Sequence, residues 1–473
     1  GKRLPKPVRA PRKSTSVEAR LNATNEALQP HAGGMIKWWS EPSADEIRDD
    51  QGISLHNPDT DVFMKYKLAG AYDSNIALIL THGQDRMDSY EHLAEIIRST
   101  TLLGEDLCTN LDFHYGLVNW FIGSQIPASP TTKFIVPYLT AVGLLKQAAN
   151  DLDLNYLFNS TLAAVKKSAS ADMAKASIAA VERKRSLLTR PVEVLFSRPH
   201  ALAGWLSVHR EAYELGKDNT VSWKTNPVEL LVDLYHYLNM DADGKRHPLH
   251  TIWDHDDAIL SKAEEFYTEL DQRLSTNNFA ELCSVLEGAA PADFDVDQWA
   301  VVQDSHQGFQ LGTDFLKVLP YIAVVTDFYA LSVNDDLSIE IPEKLLDEQL
   351  QKDMAKVLVP PVVTKSDEVS AVSGGMFYPR EAPGMDIYVN KGDHFDVGDT
   401  LYIVEVMKMF NKVTATFSGT VTEVLVEGDG VIISKGQPLF KIKPDEEIVV
   451  ESEEQILQRR RTTSDKFLSA NGI

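Results

Sequence analysis

The chain has 473 residues, room for about three domains at roughly 150 residues each. Hydrophobic residues make up 43% and charged residues 24%, a globular balance that excludes global disorder. Forty-six basic residues against 69 acidic ones leave a net charge of −23, which repels phosphate backbones and argues against a nucleic-acid partner.

No apolar run approaches the roughly 20 residues that a membrane span requires. Cys108 and Cys283, the two cysteines, make neither a disulfide framework nor a thiolate zinc site, and they fit a reducing cytoplasm. The first fourteen residues are basic and proline-rich, without the apolar core of a secretory signal.

Residues 1–125 are of mixed texture. Ser16 to Ala23 alternates like a half-buried strand, and Val62 to Leu68 and Ile76 to Leu80 are further strands. Asp88 to Ser99 has helical spacing, with Leu93, Ile96 and Ile97 on one face. Residues 130–351 read as helical. Phe158 to Leu188 and Ile259 to Leu286 are amphipathic, with charged faces that read as solvated. Asn226-Pro227-Val228-Glu229 starts a helix: Asn226 is the cap, proline takes the first helical position, and Leu230, Leu231, Leu234 and Leu238 make the apolar face.

In this region His247, His250 and His255 cluster with Asp254, Asp256 and Asp257. Two histidines three apart can share a metal, but Pro248 interrupts a helix and the aspartates suit capping, so no metal is assigned. Asp241-Ala242-Asp243-Gly244 lacks the later glutamate of a calcium loop and reads as a polar turn. No nucleophile elbow and no catalytic constellation is found.

Residues 352–370 read as a linker around Pro360-Pro361. Residues 371–444 change to short alternating strands punctuated by glycine, an all-β pattern. Residues 445–473 are acidic, then basic at Arg459-Arg460-Arg461, and read as a tail or linker.

The sharpest motif is Glu405-Val406-Met407-Lys408-Met409. Around it Gly392-x5-Gly398-x2-Leu401 recurs as Gly430-x5-Gly436-x2-Leu439. Two similar half-units with glycine turns predict a flattened β-sandwich, with Lys408 near the tip of a hairpin. A lysine on a rigid base, without a carboxylate partner, suits covalent attachment of a swinging cofactor.

The stretch Ala371 to Pro444 resembles the biotin carboxyl carrier domain of acetyl-CoA and related acyl-CoA carboxylases. The matching pieces are SGGMFYPREAPGMD, VNKGDHFDVGDTLYIVEVMKM and SGTVTEVLVEGDG. The resemblance implies that a biotin protein ligase, reading the folded hairpin, biotinylates Lys408 between Met407 and Met409. It also implies a protruding thumb from Phe377 to Ile387. Val406 departs from the family's usual alanine. A lipoyl domain shares the fold, but lipoyl lysines usually follow aspartate, whereas both neighbours here are methionine.

Residues 14–122 carry a second resemblance. SVEARLNA, PHAGGMIKWW, GAYDSNIALILTHGQDR and GEDLCTNLDF look, in that order, like the C-terminal subdomain of biotin carboxylase, an ATP-grasp enzyme. This implies that the nucleotide-binding elements lie upstream of Gly1, so that this chain alone does not bind ATP. The family's arginine for the biotin enolate is missing from Gly52 to Asn57. Arg48 reads as a surface charge, and Tyr72 and Asp73 as structural support.

The expectation is a multidomain chain: an incomplete α+β ATP-grasp-type subdomain (1–125), a mainly α-helical middle (130–351), a linker (352–370), an all-β barrel-sandwich carrier (371–444) and a tail toward a carboxyltransferase (445–473). The helical middle resembles the less typical single-chain acyl-CoA carboxylases and would dock domains or hold a homo-oligomer together. The implied activity is a ligase of fatty acid metabolism. Biotin on Lys408 is carboxylated with ATP, Mg and bicarbonate, and the carboxyl group passes to an acyl-CoA at a carboxyltransferase domain or subunit. Three alternatives stay open: a lipoylated arm of a 2-oxo acid dehydrogenase, a structural assembly subunit, and a carboxylase of a 2-oxo acid.

Overall fold

Alternating apolar residues build the N-terminal strands. The computed structural model of the protein describes residues 13–31, 34–43, 46–49, 56–57, 59–60, 62–63, 66–68, 74–124, 128–168, 182, 184–241, 252, 254–359, 367–406, 409–445 and 451–473. Strand β1 (Thr15–Asn22) buries Ala19 and Leu21 and exposes Glu18 and Arg20. β2 is Met35–Trp39, β3 Ile47–Asp49, β4 Tyr66–Lys67 and β5 Asn75–Gly83. β5 pairs antiparallel with β1 and β3, and β2 pairs with β4 and with β6 (Leu102–Glu105).

The segment expected as one strand from Val62 to Leu68 is split. Val62–Phe63 pairs with His56–Asn57, whereas β4 pairs with β2, so the two fragments serve different partners. Helix α1 (Arg86–Ser99) buries Leu93, Ile96 and Ile97, and Asp85 caps it by accepting from the Asp88 amide.

Helix α2 (Leu111–Gly123) falls inside the first 125 residues yet belongs to the helical core. The helices that follow are α3 (Ile135–Asn150), α4 (Leu154–Ser168), α5 (Arg185–Ser197) and α6 (Pro199–Val208). α2 and α6 meet through glycine. A Cβ at Gly116 would lie 2.1 Å from the His200 carbonyl oxygen, and one at Gly123 would lie 2.1 Å from that of Ser207. Arg198 then grips Asp112 with two bonds, Nε to Oδ2 at 3.0 Å and Nη2 to Oδ1 at 2.8 Å. A domain border at residue 125 therefore does not separate two cores.

Helix α7 (Pro227–Tyr237) starts as expected. Asn226 accepts from the Val228 amide at 3.0 Å, and Leu230, Leu231, Leu234 and Leu238 are buried. The amphipathic run Ile259 to Leu286 is two helices, α8 (Asp254–Leu274) and α9 (Phe279–Leu286). Ser275 adopts a φ of 53° and Asn278 caps α9 through the Glu281 amide, which ends one helix and starts the next. Of Phe158 to Leu188, the ends lie in α4 and α5, and residues 169–181 and 183 lie outside the described residues. α8, α9 and α10 (Val296–Thr313) share a small core of their own around Tyr267, Leu282 and Trp299. α11 (Val318–Val325) lies in the main core.

Two expectations about connecting segments are corrected. The linker 352–370 begins inside α12 (Glu348–Leu358), whose Met354 and Leu358 are buried against the helical core, and ends in strand β7 (Glu368–Ser370). The tail 445–473 carries α13 (Glu453–Asn471), which opens with a capping box between Ser452 and Gln455 and buries Ser464, Phe467 and Leu468. It is a packed helix, because one narrow apolar stripe is enough to seat it.

The C-terminal unit continues with β8 (Gly375–Tyr378), β9 (His394–Phe395), β10 (Thr400–Val406), β11 (Met409–Thr414), β12 (Gly419–Val424), β13 (Val431–Ile433) and β14 (Pro438–Pro444). They form two four-stranded sheets, ordered β7-β14-β12-β9 and β11-β10-β8-β13. Phe377 of one sheet meets Phe440 of the other at 6.2 Å between rings, and both pack on Tyr402. The expected thumb is shorter than Phe377 to Ile387: Phe377 is fully buried in β8, so the loop begins at Pro379.

Candidate carrier hairpin

The sequence repeat appears in three dimensions as a two-fold. Asp396 to Asp399 and Ser434 to Gln437 are equivalent turns, each closed by a 3.0 Å backbone bond from its fourth residue to its first. In each turn the fourth side chain also accepts from the first amide, Asp399 at 2.8 Å and Gln437 at 3.0 Å. The third residue is glycine in both, with φ of 95° at Gly398 and 77° at Gly436, where a side chain would be strained.

The strands leaving these turns, β10 and β14, bury Leu401 and Leu439. Ala415 exchanges backbone bonds with the first turn as Ala371 does with the second. The two-fold thus relates β10 to β14, β11 to β7, β8 to β12 and β13 to β9, which matches the order of strands in the two sheets.

Under this symmetry the β10–β11 connection corresponds to the two chain ends of the unit, beside β7 and β14. The hairpin and the chain ends therefore belong to different sheets. β10 and β11 pair without a break from Ile403↔Lys412 to Val406↔Met409, which leaves Met407 and Lys408 as the connection. Met407 and Lys408 themselves lie outside the described residues, and Met409 is placed by its backbone pairing.

The base of the hairpin is firm. Val406 is 1% exposed. β8 flanks β10 with Met376 opposite Glu405. Gly375 lets β8 come close: a Cβ there would stand 2.5 Å from the Glu405 carbonyl oxygen and 2.8 Å from a Val404 methyl. Tyr378 donates its hydroxyl to Glu405 at 2.6 Å, and that carboxylate raises the phenol pKa above its usual 10. Phe410, 61% exposed, lies across Tyr378 with ring centres 5.6 Å apart.

The loop after β8 is pinned at both sides. Arg380 Nε reaches Asp429 at 3.1 Å, and Glu381 takes Tyr388 at 2.7 Å and Lys412 of β11 at 2.5 Å. These bonds hold the Glu381 carboxyl below its usual pKa. Sequence reasoning missed Tyr378, Phe410 and Gly375 as supports of the hairpin. Tyr378 sat inside the segment read as thumb, and nothing in one sequence marks a cross-strand pair.

Other singled-out residues do not converge. His247, His250, Tyr72, Asp73 and residues 52–55 lie outside the described residues. His255 is exposed while Asp256 is buried, and no group of three or more possible ligands is placed to hold a metal among the described residues. No described helix is long and apolar enough to cross a membrane.

Comparison with known proteins follows the same boundaries. The family model described as "Biotin-requiring enzyme" matches residues 368–442. The biotin carboxyl carrier protein of acetyl-CoA carboxylase from Nostoc sp. is 42% identical over 81 residues, 17% of this chain and 44% of that protein. The corresponding protein of Pseudomonas aeruginosa is 43% identical over 68 residues, 14% of this chain and 43% of that protein. This chain thus spans less than half the length of the curated relatives it matches. Among solved structures, the biotin carboxylase domain of a single-chain bacterial carboxylase is 21% identical with a TM-score of 0.18, covering 23% of this chain and 22% of that one. A single-chain, multi-domain long-chain acyl-CoA carboxylase is 11% identical with a TM-score of 0.17, covering 96% of this chain and 24% of that one. Overlaps this slight say nothing about the fold. The carrier match rests on its own sequence identity: residues 368–442 are a biotin carboxyl carrier domain.

Proposed function

We propose that Lys408 is the biotinylated residue and that the chain is part of a biotin-dependent acyl-CoA carboxylase. One observation carries this: the two-fold β unit supports a hairpin whose connection is Met407-Lys408, built on buried Val406 and on residues 403–406 of β10, which pair with β11 without a break. Such a base suits a covalently held group. It fixes the attachment point while the side chain provides reach, which keeps the effective concentration of the group high at each site visited.

A biotin protein ligase would use ATP to condense the carboxyl of biotin with Nζ of Lys408, forming an amide and releasing water to the nucleotide. Biotin held there would supply a ureido nitrogen as the carrier of a carboxyl group: ATP, cleaved to ADP and phosphate, would take the leaving oxygen of bicarbonate, and an acyl-CoA would exchange an α-proton for the carboxyl group. The protein's own part is positional. β8 and β11 brace β10 from both sides, and the Tyr378–Glu405 bond ties the brace together one residue from Val406.

Residues 14–122 are assigned to the C-terminal subdomain of an ATP-grasp biotin carboxylase, on the four ordered motifs. The β unit is assigned as a barrel-sandwich carrier bounded by β7 and Pro444. The helical middle would dock these pieces and support a homo-oligomer, with a carboxyltransferase and acyl-CoA as further partners in the cytoplasm.

Labelling by purified biotin ligase with ATP and biotin tests the reading. The parent chain takes up one biotin and binds streptavidin. Lys408→Arg, with unchanged circular dichroism, takes up none. Equal labelling of the two chains would overturn the assignment.

A further inference from the structure

One buried histidine of the helical region lacks a full set of partners. His306 of α10 is 5% exposed and sits where three helices meet. Its Nδ1 is 2.9 Å from the Tyr267 hydroxyl of α8. The rings of Tyr267 and of Phe279, on α9, have centres 5.8 and 6.4 Å from its own. Its Nε2 is buried without a hydrogen-bond partner among the described residues. The surroundings are apolar: α8, α9 and α10 close on Leu270, Leu282 and Trp299, a core apart from the main one and much smaller.

A neutral imidazole fits this place. One nitrogen meets Tyr267, and the other is a single unpaired polar atom. An imidazolium does not fit. Both nitrogens then donate; the Tyr267 oxygen can accept one bond, and Nε2 is left without an acceptor while it carries part of a buried charge.

The neighbouring elements offer no compensating charge. Burial holds Tyr267 on α8 and Cys283 on α9 neutral, and the Cys283 sulfur already accepts from Gln310 at 3.4 Å. Glu229 of α7 faces Glu264 and Asp271 of α8. Tyr156 of α4 is bonded to Asp465 at 2.6 Å, and Asp314 and Lys317, just past α10, pair at 2.8 Å. Asp304 on α10 itself is exposed, and Lys184, 5.0 Å over the Phe309 ring, has the same sign as an imidazolium. Burial alone governs the His306 ring and pushes its pKa down from 6.5 to about 4.

We propose that His306 is an acid-operated latch: neutral, it closes α8, α9 and α10 on one another, and its protonation lets this lobe open while the main helical core stays closed. A base whose folded pKa is lowered gives a contribution that is complete above its unfolded value and fades as pH falls through that value toward the folded one. The window here runs from 6.5 down to about 4. A small separate core is also the part of a chain that opens first. The inference is read without biotin, so it stands or falls apart from the assignment of Lys408.

Hydrogen exchange of the full chain at pH 8 and pH 5, corrected for intrinsic chemical rates, reads the opening on peptides from α8, α9 and α10. Protonation of His306 should favour opening roughly thirtyfold at pH 5 relative to pH 8. His306→Gln keeps a polar partner for Tyr267 and takes up no proton, so its dependence should be weaker by about that factor. Glu229, raised by burial and by Glu264 and Asp271, titrates in the opposite sense and is common to both chains. Peptides from α6 should stay protected at both values, although α6 holds the equally buried His200, because it lies in the main core. A parent-to-variant ratio below about threefold, or opening of α6 together with the lobe, overturns the proposal. Exchange of the imidazole C2 hydrogen, read by mass spectrometry on the parent peptide containing His306, needs no substitution. A midpoint of about 4 is expected, and one near 6.5 overturns the proposal.

Discussion

Replacing Gly375 by alanine should loosen the hairpin's brace without touching the motif. The new Cβ would sit 2.5 Å from the Glu405 carbonyl oxygen, well inside the 3.4–4 Å of ordinary contact, and 2.8 Å from the Val404 methyl. The obstructing atom belongs to the backbone of β10, which is paired on both sides. Relief therefore requires β8 to part from β10 at the end next to Val406. Overpacking of this kind costs about 1–3 kcal/mol. Hydrogen exchange of the whole chain, read on peptides from β8 and β10, measures the opening locally. At 1.4 kcal/mol per tenfold, protection should fall roughly 5- to 150-fold. Gly384→Ala is the control: its φ is 86°, but nothing lies within 4 Å of the added Cβ and the loop is exposed. It should leave β8 and β10 protected as in the parent. Unchanged protection in Gly375→Ala would refute the close approach of β8 to β10.

Three further outcomes follow from named bonds. Asn226→Ala removes an N-cap that is 4% exposed and accepts from Val228; it should cost about 1 kcal/mol, seen as faster exchange in the first turn of α7. His394 Nε2 lies 2.6 Å from Asp445, and this bond raises the imidazole pKa above 6.5. A raised folded pKa gives a contribution that is complete below the unfolded value and fades as pH rises through the folded one. An NMR titration should place the His394 midpoint above 6.5, and Asp445→Asn should bring it down; an unmoved midpoint would contradict the pairing. Gly116→Val should separate α2 from α6, since even a Cβ would meet the His200 carbonyl at 2.1 Å; the helical core should unfold at lower denaturant, and an unchanged midpoint would show that the helices do not pack as described.

Much of the fold was legible where periodicity or turn chemistry speaks locally. β1, α1 and the Asn226 cap follow from apolar spacing and one capping residue. The carrier's two halves follow from glycines that the structure places at positive φ. What was hidden is tertiary. α13 looked like a charged tail because it buries only Ser464, Phe467 and Leu468 along 19 residues. Pro360-Pro361 reads as a linker and masks α12, whose seat depends on the burial of Met354 and Leu358. The joining of α2 to α6 depends on backbone contact at Gly116 and Gly123, and a glycine in a helix does not announce what it touches. The break at Ser275 depends on a left-handed serine, which no spacing rule marks.

The proposed biotinylation of Lys408 can be read directly on the protein. Chain purified from cells with active biotin and lipoate ligases can be digested with trypsin and the peptide containing Lys408 sequenced by mass spectrometry. The expected result is an uncleaved Lys408 bearing the mass of biotin, with Lys391, Lys412 and Lys435 unmodified. A lipoyl mass on Lys408, or biotin on another lysine with Lys408 free, would contradict it.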